Sequence, residues 1–341
     1  MMKHNIDKII FILCAVFSLL WGGNNVTKVG NSAASFLKIG VGARAAGMGG
    51  SFSAMDDDIT SIYWNAAGLS GIQSNQLFIS HINWLASISY DFFAIGIPVN
   101  RSSSVGLYAM SVQVPEDEVR TVLQPDGTGE FFDASDLALG VSYSRHITDR
   151  FSVGVVGKYI QERIWSMTSN SIALDIGTLY KSNWKNLRIG IVLNNFGSKM
   201  KLTGRANLLA VDPDPTIEGN IETIRAELEM GRWDIPLNVK TSIALDIITM
   251  PNYVLTTAID MVHPNDNLEF INFGGEAKIL KMMYLRAGYH GYGMDKSEGG
   301  LSYGAGLNIH TSSGLMFKID YALTDWGRLK NINQLSVGLG F

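Results

Sequence analysis

Cysteine occurs once in 341 residues, at Cys14. That position lies in an apolar run near the N-terminus, so disulfides, thiol catalysis and cysteine metal clusters are excluded from the rest of the chain. Charge is sparse, 17% of residues with a net of -4, which excludes a disordered chain and a nucleic-acid-binding surface. Catalytic patterns are missing as well. His81, His146, His263, His290 and His310 are scattered without an H-x-x-x-H pair, and there is no G-x-S-x-G motif. The expectation is a protein that is not an enzyme and carries no cofactor and no metal. Past the N-terminal run no apolar stretch is long enough for a membrane helix.

Lys3, His4 and Lys8 precede IIFILCAVFSLLWGG (Ile9 to Gly23), a basic region followed by an apolar one too short to span. This reads as an export signal over residues 1-23, with the mature start between Gly23 and Val26.

From Gln76 onward apolar and polar residues alternate with period two, the pattern of strands with one apolar face. In QLSVGLGF, Leu335, Val337, Leu339 and Phe341 point one way and Gln334, Ser336, Gly338 and Gly340 the other. Such segments fall at about 76-85, 88-98, 104-114, 135-147, 150-164, 169-181, 187-196, 237-248, 252-262, 268-279, 282-291, 300-310, 314-323 and 332-341. Fourteen strands of about ten residues suit tilted membrane crossing. Connections after even-numbered strands are tight, and long ones, about 115-134 and 197-236, follow odd-numbered strands. That parity is how an outer-membrane barrel separates a periplasmic rim of short turns from an extracellular rim of loops. The fold expected is an all-β, fourteen-stranded antiparallel transmembrane barrel over 76-341, preceded by a segment over 24-75 that folds inward as a hatch.

The face opposite the apolar one carries Lys158, Asp175, Arg188, Lys240, Asp246, Asp260, Glu276, Lys278, Arg286, Lys318 and Asp320. Six bases against five acids point to paired charges in a lumen rather than an ion-selective lining of one sign. Trp84, Tyr143, Tyr180, Trp184, Tyr253, Tyr284 and Trp326, near strand ends, suit interfacial girdles. Phe341 on the apolar face of the last strand fits the terminal signal read by barrel assembly machinery.

The segment GMGGSFSAMDDDITSIYWNAAGL (Gly47 to Leu69) stands before the first strand. Its acids Asp56, Asp57 and Asp58 sit where a short helix would be capped, with Ile59, Ile62 and Tyr63 on one face. Calcium ligation is disfavoured because no D-x-[DN]-x-[DN]-G spacing follows. GMGG does not fit G-x-G-x-x-G, which dismisses dinucleotide binding.

Residues Ala34 to Leu69 resemble the N-terminal signature of the PorV/PorQ family of outer-membrane proteins, itself similar to FadL-type transporters. Gly40, Gly42, Arg44, Ala45, Gly47, Met48, Gly49 and Gly50 match its glycine-rich run. Asp57, Asp58, Ser61, Tyr63, Trp64, Asn65, Ala67, Gly68 and Leu69 match its second run, with Ala66 in place of the usual proline. The resemblance implies a hatch containing Arg44, Gly47, Gly49, Gly50, Asp57, Asp58, Tyr63, Trp64 and Asn65, with the Tyr63-Trp64-Asn65 triplet docking it on the wall. It further implies a role in type IX secretion at the bacterial outer membrane, binding the C-terminal signal domains of secreted cargo and passing them to secretion-system components. The FadL-like alternative is uptake of fatty acids or other hydrophobic small molecules. Partners expected are outer-membrane lipid, the assembly machinery, cargo domains or hydrophobic molecules, and no nucleic acid.

Partner binding would fall on the long loops. Ile217, Ile221, Ile224 and Leu228 recur at helical spacing with Glu218, Glu222, Arg225 and Glu229 opposite, which predicts an amphipathic helix. Phe131 and Phe132, with Glu116, Asp117 and Glu118, offer similar chemistry on the first long loop.

Overall fold

The computed structural model describes residues 30–212, 223–294 and 298–341. Fourteen strands form the wall: β1 (Gln76–Asn83), β2 (Ser89–Asn100), β3 (Ser103–Glu118), β4 (Phe131–Thr148), β5 (Phe151–Ile164), β6 (Met167–Lys181), β7 (Arg188–Gly197), β8 (Asn238–Met250), β9 (Tyr253–Pro264), β10 (Phe270–Ile279), β11 (Met283–Tyr292), β12 (Leu301–His310), β13 (Met316–Asp325) and β14 (Asn331–Gly340). Every neighbouring pair is antiparallel. The sheet closes where β1 pairs with β14, from Gln76↔Gly340 to Asn83↔Asn333. Closure leaves no backbone edge to lipid, which no open sheet could do.

The alternation read from the sequence follows from this geometry. Leu107, Val141, Ile191, Leu285, Ile319 and Leu335 are exposed on the outer face, where lipid meets them. Ser80, Ser104, Ser142, Ser144, Ser242, Ser302 and Ser336 face inward and are buried. Small inward residues leave the lumen room for another segment of chain.

Short turns at 101–102, 149–150, 251–252 and 280–282 mark one rim. The longest connections, 119–130 and 198–237, lie on the other, although the turn at 165–166 on that rim is equally tight. β3 and β4 overrun their expected ends, pairing up to Glu118↔Phe131 and lifting the first long loop on a hairpin.

The helix expected in the second long loop is not there over Ile224 and Arg225. Ile224–Glu227 is a strand, paired with Leu208–Val211 from Ile224↔Val211 to Glu227↔Leu208. Alternation satisfies both periods over so short a run, and a facing LLAV segment supplies backbone partners that a helix would forgo. Glu218 and Glu222, with Ile217, Ile221 and the export signal, lie outside the described residues.

Candidate functional site

The N-terminal segment threads the lumen from one rim to the other. It begins at the long-loop rim, where the Ala33 N–H donates to the Asp234 carbonyl at 2.9 Å and the Ala34 N–H to Glu162 Oε1 at 2.7 Å. Lys38 pairs with Asp266 at 2.7 Å in the same region. It ends at the short-turn rim, where Asn75 and Phe341 exchange backbone hydrogen bonds of 3.1 and 2.9 Å as β1 starts. Between these ends the chain touches the wall in two chemically different ways.

Toward β1–β5 the contact is apolar. Ile59, Ile62, Leu69 and Ile72 are buried against a wall containing Phe78, Phe92, Tyr108 and Met110. Each such side chain removed from water contributes about 2 kcal/mol. Glycine in the wall admits the close approach: a Cβ on Gly154 would stand 2.2 Å from the Ala66 carbonyl carbon. The opposite side shows the same fit, since a Cβ on Gly288 would stand 2.2 Å from the Gly49 nitrogen.

Toward β10–β13 the contact is ionic. Arg44 lies 2.8 Å from Glu276 and 3.0 Å from Asp58. Glu276 also pairs with Arg286 at 2.7 Å, and Arg286 with Asp320 at 2.7 Å. Lys318 adds a 3.9 Å contact to Asp58. Burial would raise the Asp58 carboxyl, but Lys318, Arg44 and two hydrogen bonds from Thr60 outweigh it and hold the group well below the usual carboxylate range. Farther round, Arg188 bridges Asp56 at 3.1 Å and Asp246 at 3.2 Å, and Lys181 also pairs with Asp56.

Asp260, fully buried, binds backbone rather than a cation. It accepts from Phe52 N–H at 3.2 Å, Ser53 N–H at 3.0 Å, Ser51 Oγ at 3.2 Å and Ser242 Oγ. Lys158 and Asp175 pair across the wall at 2.7 Å. Lys240 and Lys278 have no carboxylate within ion-pair distance among the described residues. Lys240 instead sits 4.7 Å from the Trp64 ring centre and Lys278 5.7 Å from that of Tyr284.

Three expectations change. The aspartates do not cap a helix: the single turn Ser61–Trp64 has Thr60 at its N-cap without a side-chain cap bond. Asp58 Oδ1 accepts from Thr60 N–H at 2.9 Å while Oδ2 meets Arg44, and Asp57, at φ 66, turns its side chain into the open lumen at the short-turn rim, 3.5 Å from Arg44. In a charged lumen, pairing with buried cations outweighs a cap on one helical turn. Tyr284 belongs to no girdle, because it shares the inward face with Arg286 two residues on. Trp84 and Trp326 are half-buried against each other at 5.2 Å.

Of the Tyr63-Trp64-Asn65 triplet, Asn65 alone hydrogen bonds the wall, donating from Nδ2 to the Thr178 carbonyl at 3.1 Å. Tyr63 OH lies 3.0 and 2.9 Å from the Leu37 and Ile39 carbonyls, and Trp64 Nε1 donates to Val41 O at 2.9 Å. These two hold the segment to itself. Tyr63 also meets the wall through its ring, 6.4 Å from Phe92. Lys181, Glu162 and Asp266 carry no signal in the sequence, and Asp56, expected at a helix cap, instead pairs with Arg188 and Lys181. Asp56 stood in the acidic run, but its direction depends on the left-handed turn at Asp57.

Below the segment, a cavity of about 790 Å³ at the short-turn rim is lined by Arg188, Asp246, Glu276, Lys278, Arg286 and Lys318 among others. On the long-loop rim, Val122 and Leu123 at the hairpin tip are almost fully exposed, and Phe131, Phe132, Leu208, Leu209 and Ile224 are exposed as well. Arg225 stands on the second hairpin.

A closed fourteen-stranded barrel with these two unlike rims is an outer-membrane barrel of the FadL-like fold. Solved structures of that fold are similar over most of the chain. The Pseudomonas aeruginosa FadL homologue is 12% identical, covering 88% of this chain and 98% of its own with a TM-score of 0.53. The Ralstonia pickettii toluene transporter TbuX is 12% identical over 88% and 97%, TM-score 0.54. The monoaromatic hydrocarbon channel CymD is 14% identical over 89% and 98%, TM-score 0.55. No curated protein matches the chain. The family of the type IX secretion system protein PorV matches residues 23–212, more than half the sequence, and the chain belongs to it. It is an outer-membrane barrel of a type IX secretion family.

Proposed function

We propose that the long-loop rim is a platform that binds secreted cargo through its C-terminal signal domain and carries it to other components of the secretion system, without catalysis by this chain. The observation that carries this reading is the set of exposed apolar side chains on the two long loops, Val122 and Leu123 on the first and Leu208, Leu209 and Ile224 on the second. Apolar residues held in water on ordered hairpins favour a protein partner. Arg225, Phe131 and Phe132 lie on the same rim, and Glu218 and Glu222 belong to the second loop. In the same reading, residues 1-23 direct export, and the segment over 24-75 is a hatch that keeps the lumen shut while the rim works.

FadL-like uptake would need an apolar route from the loops to an opening in the wall. Pairing of β2 with β3 runs unbroken from Ser89↔Gln113 to Pro98↔Ser104, which leaves no opening at that seam. Deleting residues 203-232 and following secretion of signal-domain cargo tests the proposal. Loss of secretion with an intact barrel is expected. Normal secretion together with lost fatty-acid or hydrocarbon uptake would establish the transport reading instead.

A further inference from the structure

On the long-loop rim Arg120, Arg163, Lys199 and Arg328 each meet a carboxylate, from Asp117, Asp133, Asp234 and Glu298. On the short-turn rim Arg101, Arg145, Arg150 and Lys185 are exposed and form no ion pair among the described residues. The turns and strand ends that carry them are neighbours. The His146 N–H donates to the Ser102 carbonyl at 2.7 Å, joining the first turn to β4, and the Lys181 N–H to the Arg150 carbonyl at 2.8 Å, joining the second turn to β6. Asp149 is the one acid in those turns.

Directly above this arc the outer wall is notched. Ile95, Leu107, Val141 and Gly157 form one cross-strand row, through the pairs Ile95↔Leu107, Leu107↔Val141 and Val141↔Gly157. Gly157 faces outward, and a Cβ there would have nothing within 4 Å. The next row toward the rim is Ile97, Val105, Tyr143 and Val155. Apart from Gly157, these residues line an apolar groove of about 430 Å³, and Gly157 stands beside it, paired with Val141. Arg145 follows Tyr143 on the same face, two residues or about 7 Å closer to the rim. Lys185 lies 5.9 Å from the Trp184 ring at the edge of the arc, an aromatic and cationic pair suited to the headgroup layer.

We propose that this face is a binding site for one anionic phospholipid of the periplasmic leaflet, with an acyl chain in this groove and the Gly157 notch beside it, and its phosphodiester between Arg145 and Arg150. Neither half suffices alone. The groove supplies apolar contact without preference for a headgroup, and unpaired arginines supply anion preference without preference for a lipid. A barrel embedded in the membrane always has such lipid within reach, and Asp149, the one acid of the arc, forms no ion pair with these cations among the described residues.

The test is native mass spectrometry of the full chain in detergent with phosphatidylglycerol, phosphatidylcholine, or the soluble headgroup glycerophosphoglycerol. The wild type should retain one phosphatidylglycerol in preference to phosphatidylcholine and none of the soluble headgroup. R145Q/R150Q should bind phosphatidylglycerol about thirtyfold more weakly. Gly157→Leu, which fills the notch, should weaken both lipids. Equal retention of the two lipids by the wild type, or unchanged binding by both variants, would overturn the proposal. Binding of the headgroup as tightly as the lipid would reduce the site to a phosphate site and equally overturn it. The comparison of lipids on the wild type stands even if a variant fails to fold.

Discussion

Arg44 of the threaded segment and Glu276 of the wall meet through two parallel contacts, Nε to Oε2 at 2.9 Å and Nη2 to Oε1 at 2.8 Å. Both groups are largely shut off from water, and Glu276 is shared with Arg286, so one carboxylate joins the segment to the wall's own charge ladder. The geometry is bidentate, the form in which arginine cannot be replaced by lysine without loss.

Arg44→Met should therefore be costly. It leaves Glu276 one cation short and Asp58 dependent on Lys318, and breaking a buried pair from one side costs about 3–5 kcal/mol. Unfolding in urea should show the loss, and adding Glu276→Gln should recover part of it, since the residual charge is then removed. A double variant no better than Arg44→Met would contradict this account of the site.

Asp260→Ala removes the acceptor for two backbone N–H groups and two hydroxyls. Each buried group left unpaired costs about 1–3 kcal/mol. The expected signature is local: faster hydrogen exchange at the amides of Phe52 and Ser53, with the wall amides of β1 and β14 unchanged. Protection at Phe52 and Ser53 equal to wild type would show that the anchor is elsewhere.

Gly288→Leu forces the Gly49 turn off the wall, because even a Cβ there would meet the Gly49 nitrogen at 2.2 Å. Gly49 sits at φ 65 and cannot easily adjust. Protease cleavage within residues 43–58 and single-channel conductance should both rise. Gly157→Leu, outward and unobstructed, should leave both as in wild type. No difference between the two variants would contradict the close seating of the segment.

The barrel was legible because one rule, alternation with an apolar face to lipid, governs each wall strand, and the observed strands start and stop within a few residues of the expected ones. The parity of loop lengths was legible for the same reason, since it depends on chain order alone. Interior details were not. Inward and outward follow from parity, as Tyr284 and Arg286 show, but pairing across the lumen requires knowing how strands face one another. Asp56, Asp57 and Asp58 are adjacent in sequence and diverge because of a single left-handed residue. Helical spacing over Ile217 to Leu228 gives way to a strand at Ile224–Glu227 because a distant segment, Leu208–Val211, supplies its backbone partners, which spacing within one stretch cannot reveal.

The central claim is that the long-loop rim binds a protein partner while the barrel wall faces lipid. Photo-crosslinking groups placed at Leu123, Leu209 and Tyr303 in secreting cells test it most directly, since the first two stand on rim hairpins and the third on the outer wall. The account predicts cargo adducts from Leu123 and Leu209 and none from Tyr303. Adducts absent from both rim positions, in cells that secrete normally, would contradict it.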